Sequence, residues 1–312
     1  MNNISRNHHY IPQSYLRGFL DSNLPKEQLH VIDKIERRHF FTSPRNVGSQ
    51  RDFNRVQIPG LPIDELEKRF AQIDGEVAKV LKYIEENATL PKDPDMVTLV
   101  YFVAFISVHN PQIRNILANT ETEAIKQEVK LLVSSRERYE SRMQQLLGEG
   151  GEIPEYEEMK QFVEEEAFYI EYDHGYHLRD ELVAIEDVVV PLLSQRRWSL
   201  LIAEEGTSDF VCSDRPAVLV PMNENPPDNP PHPYIRPGLG MRNTELTLPL
   251  NRRMALASIF ESGFDVVTVD EYDIAVLNAR TIDSAEKQIY CSNLDFKFLD
   301  DGEIKSGRDL VD

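Results

Sequence analysis

The chain has 312 residues, 41% of them hydrophobic and 28% charged, with a formal net charge of −19. That is enough apolar material for a globular fold of one large domain or two intertwined ones. A field of that sign repels nucleic acid and anionic membrane wherever positive charge is not concentrated locally.

The two cysteines, Cys212 and Cys291, do not make a disulfide framework and fit reduced, buried thiols in a cytoplasmic protein. The first ten residues are polar, so no signal peptide is read there. No apolar run reaches the roughly 18 residues of a membrane span, so no membrane association is expected. Charge is uneven. Residues 1–60 carry nine Lys or Arg against five Asp or Glu, whereas 149–187 carry fourteen acids against Lys160 and Arg179. The acidic stretch reads as a solvated helical face or as a surface for a basic partner.

Residues 7–20 read as an extended segment followed by a short helix with Pro12 in its first position, where a missing N–H costs nothing. The alternation in 28–34 and 37–42 predicts a β-hairpin, and 52–58 a further short strand. Leu66, Phe70, Ile73, Val77, Val80, Leu81 and Ile84 step by three and four, the helical period. Asp93-Pro94-Asp95 then precedes a strongly apolar helix over 96–109, broken at Pro111. One long polar helix runs to about 147 and stops at the glycines of 148–151. Helices follow over 154–170 and 178–193. The last third turns strand-like at 198–203, 210–212, 217–220, 245–250, 254–259 and 264–269. A surface loop with seven prolines spans 221–241, a helix covers 272–289, and 296–299 is a terminal strand. The order favours α+β, with an N-terminal hairpin and helical middle packed on a mixed or antiparallel sheet. Three subregions are expected: 1–60, 61–197 and 198–312.

Several motifs are absent: the phosphate-binding loop, Gly-x-Gly-x-x-Gly, His-Glu-x-x-His, paired Cys-x-x-Cys and Gly-x-Ser-x-Gly. Weaker constellations remain. His8, His9 and Tyr10 precede a helix that sets Gln13 and Arg17 on one face, four residues apart. That set offers proton transfer, an amide and a fixed cation, and suits a phosphate or carboxylate. It equally fits a structural clasp. Ser213 and Asp214 end a strand before Pro216, where a carboxylate serves as metal ligand, general base or histidine partner, or simply closes a turn. Asp173, His174 and His177 have spacing that permits a divalent metal. His109 and Arg114 flank the helix break, facing a pocket or lining a kink.

Together these runs resemble a known family. The chain opens His8-His9-Tyr10-Ile11-Pro12, then Leu16-Arg17 and Phe19. It continues with Ser43-Pro44-Arg45-Asn46-Val47, Asp52-Phe53-Asn54, and Asn110-Pro111 with Arg114. Phe210-Val211-Cys212-Ser213-Asp214-Arg215-Pro216, the strand 246–250, Leu277-Asn278 and Ile289-Tyr290-Cys291-Ser292 follow. This pattern is similar to the microbial family catalogued as "domain of unknown function 4238". Asn54 stands where that family has tyrosine, and Cys212 where it has threonine. The resemblance covers nearly the whole chain, implies one architectural unit over 1–312, and brings no assigned reaction.

Two functional readings follow. In one, the protein is a phosphodiester-directed hydrolase, a nuclease or nucleotide hydrolase of defence or toxin type. His8 or His9 is then the acid or base, Arg17 holds a phosphate, and Asp214 binds a divalent metal or orients the histidine. Tyr10, Gln13, Arg114, Ser213 and Asn278 contact the substrate. In the other, the protein is a non-enzymatic binding or regulatory protein whose acidic helices meet a protein partner.

Overall fold

The computed structural model describes residues 6–24, 26–55, 65–148, 150–170, 174–222, 237–261, 263 and 265–311. Internal contacts group the chain into two compact units, Met1–Pro111 with Leu178–Asp312, and Gln112–His177. The sequence had implied a single unit over 1–312.

The first unit opens with β1 (Asn7–His9) and α1 (Gln13–Leu16). Pro12, at φ −56°, sits just before the helix, one position earlier than expected. β2 (Leu29–Asp33) and β3 (Arg38–Thr42) form the predicted hairpin. Its turn is held by the Asp33 carboxylate, which accepts from the amides of Ile35 and Glu36, both at 3.1 Å. The strand predicted over 52–58 is absent where the chain is described. The Asp52 backbone takes φ 57°, a turn conformation, and 56–58 lie outside the described residues. The strand lies just upstream as β4 (Ser49–Arg51), antiparallel to β1, with His8 opposite Gln50. α2 (Glu65–Asn87) and the apolar α3 (Asp95–Val108) follow. Seven residues of α3 are buried, as a core helix requires. Among the described residues no single helix is long and apolar enough to cross a membrane.

The second unit holds α4 (Pro111–Leu132) beyond its first residue, α5 (Arg136–Leu147), α6 (Tyr156–Glu164) and the first residues of α7 (His174–Ala184). The single long helix expected to 147 is therefore two. Ser135 leaves helical geometry and caps α5, its Oγ accepting from the Arg138 amide at 3.3 Å. A small core of Val133, Tyr139, Tyr156 and Val163 sits inside. Both phenols donate to carbonyls, Tyr139 to Pro154 and Tyr156 to Val133, each at 2.9 Å. Glu157, Glu158, Glu164 and Glu165 are exposed, so this part of the acidic run is a solvated face.

The chain returns to the first unit through the rest of α7, a π-helical turn (Ile185–Val189) and α8 (Val190–Ser194). Then come β5 (Arg197–Ala203), β6 (Cys212–Ser213), β7 (Val218–Pro221), β8 (Thr244–Asn251), β9 (Met254–Ile259) and β10 (Val266–Val269). α9 (Glu271–Ser284), β11 (Gln288–Cys291), β12 (Lys297–Asp300) and β13 (Glu303–Ser306) complete it. Most of the proline-rich loop, 223–236, lies outside the described residues. A five-stranded sheet has the order β10-β5-β9-β8-β7, parallel at β10–β5 and antiparallel elsewhere. A four-stranded antiparallel sheet has the order β3-β2-β11-β6, so the N-terminal hairpin is extended by C-terminal strands. The class is α+β, as the sequence order indicates.

α1 and the turn after it are built into the main core. Tyr15, Leu16 and Phe19 are fully buried with Phe102 and Val103 of α3 and Leu200, Leu248 and Leu256 of the large sheet. Each such side chain contributes roughly 1.5–3 kcal/mol through burial. Tyr15 Oη donates to the Pro249 carbonyl at 2.6 Å and lies 3.5 Å from Cys212 Sγ. Burial pushes the Cys212 thiol up to about 12, so it stays protonated and inert.

Gly18 allows this seating. A Cβ there would meet Asn251 Cβ at 2.8 Å and the Leu250 carbonyl at 2.9 Å, and the Gly18 carbonyl accepts from the Arg252 amide at 3.0 Å. Gly18→Ala is expected to destabilise by about 1–3 kcal/mol. Urea denaturation measures it, and a loss below about 0.5 kcal/mol would show that the contact yields freely.

Candidate functional site

Alternation along β1 turns His8 inward and leaves His9 half-buried. His8 Nδ1 accepts from the Asn54 amide at 2.8 Å. The Asn54 side chain carries the polar chain onward. Its Nδ2 donates to Glu67 Oε2 at 3.1 Å, which leaves its Oδ1 facing His109 Nε2 at 3.0 Å. His109 Nδ1 lies 3.0 Å from Glu181 Oε2. An oxygen faces each ring nitrogen, so the His109 ring is held at both ends. The pair is fully buried. Phe53, Phe70 and Phe105 surround the imidazole with ring centroids 4.5–5.2 Å away. The break between α3 and α4 thus sets His109, the residue that closes α3, in a built polar network rather than a bare kink.

Glu67 joins this network to a cavity of about 110 Å³ between α1, α2 and α3. His9, Gln13, Glu67 and Asp74 supply its polar lining, and Phe70, Phe102 and Phe105 supply much of the rest. His9 Nδ1 is 3.5 Å from Gln13 Nε2, and Nε2 is buried. Burial lowers the His9 pKa. Glu67, the carbonyls of Arg45 and Pro44, and Asp74 pull the other way without prevailing. The neutral imidazole, a proton acceptor, is therefore the resting form near pH 7.

Asp74 is also the far wall of this space, because its carboxylate accepts a hydrogen bond from the Ser14 hydroxyl. Ser14 lines a second, much larger basin of about 1120 Å³ between α1, α2 and the β8–β9 turn. Arg17 stands in that basin. It is exposed and paired with Glu27 at 2.6 Å.

The head of the chain does fold back against the strand end near residue 214. Tyr15 Oη lies 3.5 Å from Cys212 Sγ, and burial first, then the Asp214 charge, raises the Tyr10 phenol. Tyr10 and Asp214 are both half-buried, and Asp214 is committed to the backbone. The Asp214 carboxylate accepts from the amides of Glu286, Lys287 and Gln288 at 2.8–2.9 Å. Burial raises its pKa against those three bonds. Ser213 Oγ accepts from the Arg215 amide at 3.1 Å, within the turn. Arg17 lines the large basin, and Asp214 is not among the residues lining it. Asn278 is fully buried and binds the Val211 amide and the carbonyls of Asp209 and Lys297, which ties α9 to its neighbours. Arg114 is buried in the second unit. Asp173 and the side chain of His174 lie outside the described residues. Among those described, no three His, Cys, Asp or Glu side chains are placed to hold a metal ion.

Glu67, Asp74 and Asn54 were not singled out from sequence. A signal was present. Glu67 and Asp74 are seven apart and fall on the face of α2 marked by Phe70 and Val77, where carboxylates are out of place unless they serve the interior.

No curated protein matches this chain, and no solved structure does. Residues 7–295, a span that includes the histidine segment, both carboxylates of α2 and the strand end at Asp214, match the family model described as "Protein of unknown function (DUF4238)", and the chain belongs to that family.

Proposed function

We propose that the protein is a phosphodiester-directed hydrolase in which His9 takes the proton from the attacking water. The observation that carries this reading is the neutral imidazole of His9 in the wall of a small polar cavity, beside Gln13, Glu67 and Asp74. A space of 110 Å³ has room for about three waters, and Glu67, Asp74 and Gln13 offer them partners. The buried Glu181–His109–Asn54 chain holds Glu67 in place. The choice of an anionic ester takes its support from the surrounding segment and from Arg17 in the adjoining basin. Residues 1–60, which bear His9, are the positive end of an acidic chain. The reading uses no metal step, and metal ions enter as a variable of the assay.

The test is turnover of a pool of RNA, single-stranded DNA, dinucleotides and cyclic nucleotides, with Mg²⁺, Mn²⁺ or EDTA, by wild type and His9→Gln. The variant is expected to lose about 100-fold or more in kcat while its Tm stays within about 2 °C. Because the His9 pKa is lowered, the base is competent at pH 7, and the rate falls only as pH drops below the ordinary value of 6.5. Undiminished turnover in the variant, or no turnover of any ester by wild type, removes the proposal. The second result would favour a binding protein.

A further inference from the structure

We propose that the 1120 Å³ basin is a binding site for a nucleoside phosphate, with the Arg252 guanidinium as its principal phosphate contact. The inference takes its ligand class from the phosphoester reading above and otherwise rests on the basin alone. The volume is at the upper end of ligand-sized sites. Its floor is apolar, formed by Leu20, Leu81, Ile84, Leu250 and Met254.

The cations of its rim are not equivalent. Arg253 is consumed by the fold. Its guanidinium donates to the carbonyls of Ala203, Glu204, Thr207 and Ser208 and to Asp209 Oδ1. Arg252 has the opposite character. Its amide donates to Gly18 and its carbonyl accepts from Phe210, so the backbone is pinned from both sides. Its guanidinium makes no hydrogen bond among the described residues, and its one ion pair, to Asp209 Oδ2, is 3.9 Å long. That carboxylate is already taken by Arg253, Ser292 and Asn293. A pinned backbone carrying an uncommitted fork of donors is the arrangement that grips a phosphate in two places. Arg17 is a second contact. Its pair with Glu27 is exposed on both sides and is worth little, so a phosphate displaces it cheaply.

The body of the ligand follows from the rest of the lining. The apolar floor takes a flat base. Glu85 and Glu86, from α2, accept hydrogen bonds from hydroxyls and would oppose a second anion. A ribose with one phosphate meets both demands, whereas an acyl phosphate leaves the carboxylates unpaired.

Isothermal titration of the full chain with AMP, GMP, CMP and UMP tests this, with adenosine and inorganic phosphate as separate arms. At least one nucleotide is expected to bind ten-fold or more tightly than either fragment. Arg252→Ala should weaken it at least ten-fold, and Arg17→Ala should also weaken it. Absence of nucleotide binding up to millimolar concentration, undiminished binding to Arg252→Ala, or equal binding of inorganic phosphate overturns the inference. Nucleotide binding without turnover keeps the basin and removes the hydrolase. Turnover untouched by Arg252→Ala does the reverse.

Discussion

Replacing Glu181 by alanine is expected to remove about 3–5 kcal/mol of stability, the loss seen when one member of a buried ion pair is deleted. The geometry leaves little relief. Glu181 Oε2 faces His109 Nδ1 at 3.0 Å, and both side chains are sealed from solvent. Without the carboxyl group His109 Nδ1 loses its partner in a pocket of phenylalanines. The loss propagates, because His109 also holds Asn54, and Asn54 holds both the His8 ring and Glu67. Glu181→Gln keeps an acceptor oxygen and should lose less. The double variant His109→Phe, Glu181→Leu removes both charges together, and its loss should be well below the sum of the two single losses. Urea denaturation of the four proteins measures this. A Glu181→Ala protein within about 1 kcal/mol of wild type would mean that the pair is not a buried ion pair.

The same network marks where sequence reasoning reached and where it stopped. His8, His9 and Gln13 stood out because polar groups cluster beside a proline-started helix, and His109 because it precedes Pro111. Their partners did not stand out, since pairing across 55 or 72 positions leaves no local trace. The hairpin β2–β3 was legible from alternation within one stretch of chain. That β11 completes the same sheet between β2 and β6 was not, because sheet order is a property of the packed whole. The split between α4 and α5 over 133–135 was missed although Ser135, whose side chain caps α5, marks it. Arg252 was invisible for another reason. In sequence it is one of two adjacent arginines in a strand-connecting turn, and only their unequal hydrogen bonding separates the structural one from the free one.

Asp214 is where the two readings of a motif part most sharply, and its substitution is the second large effect expected. A carboxylate at a strand end resembles a catalytic group in sequence. Here its two oxygens receive three amides, from Glu286, Lys287 and Gln288, and its own amide donates to the Gln288 carbonyl at 2.9 Å. That clamp fixes the turn from α9 into β11, the strand that joins the N-terminal hairpin to β6. Asp214→Ala leaves three amides without their acceptor. Those of Glu286 and Lys287 are near the surface and recover water, which limits the loss to about 2–3 kcal/mol. Asp214→Asn should be damaging too, because its NH₂ group must face amide donors whichever way the side chain is turned. Thermal unfolding separates this account from a catalytic one. A structural clamp lowers Tm in both variants and leaves the turnover of the molecules still folded near the wild-type value. A catalytic carboxylate would do the reverse, with turnover lost and Tm unmoved, and that outcome would return Asp214 to the active site and displace His9 from the centre of the mechanism.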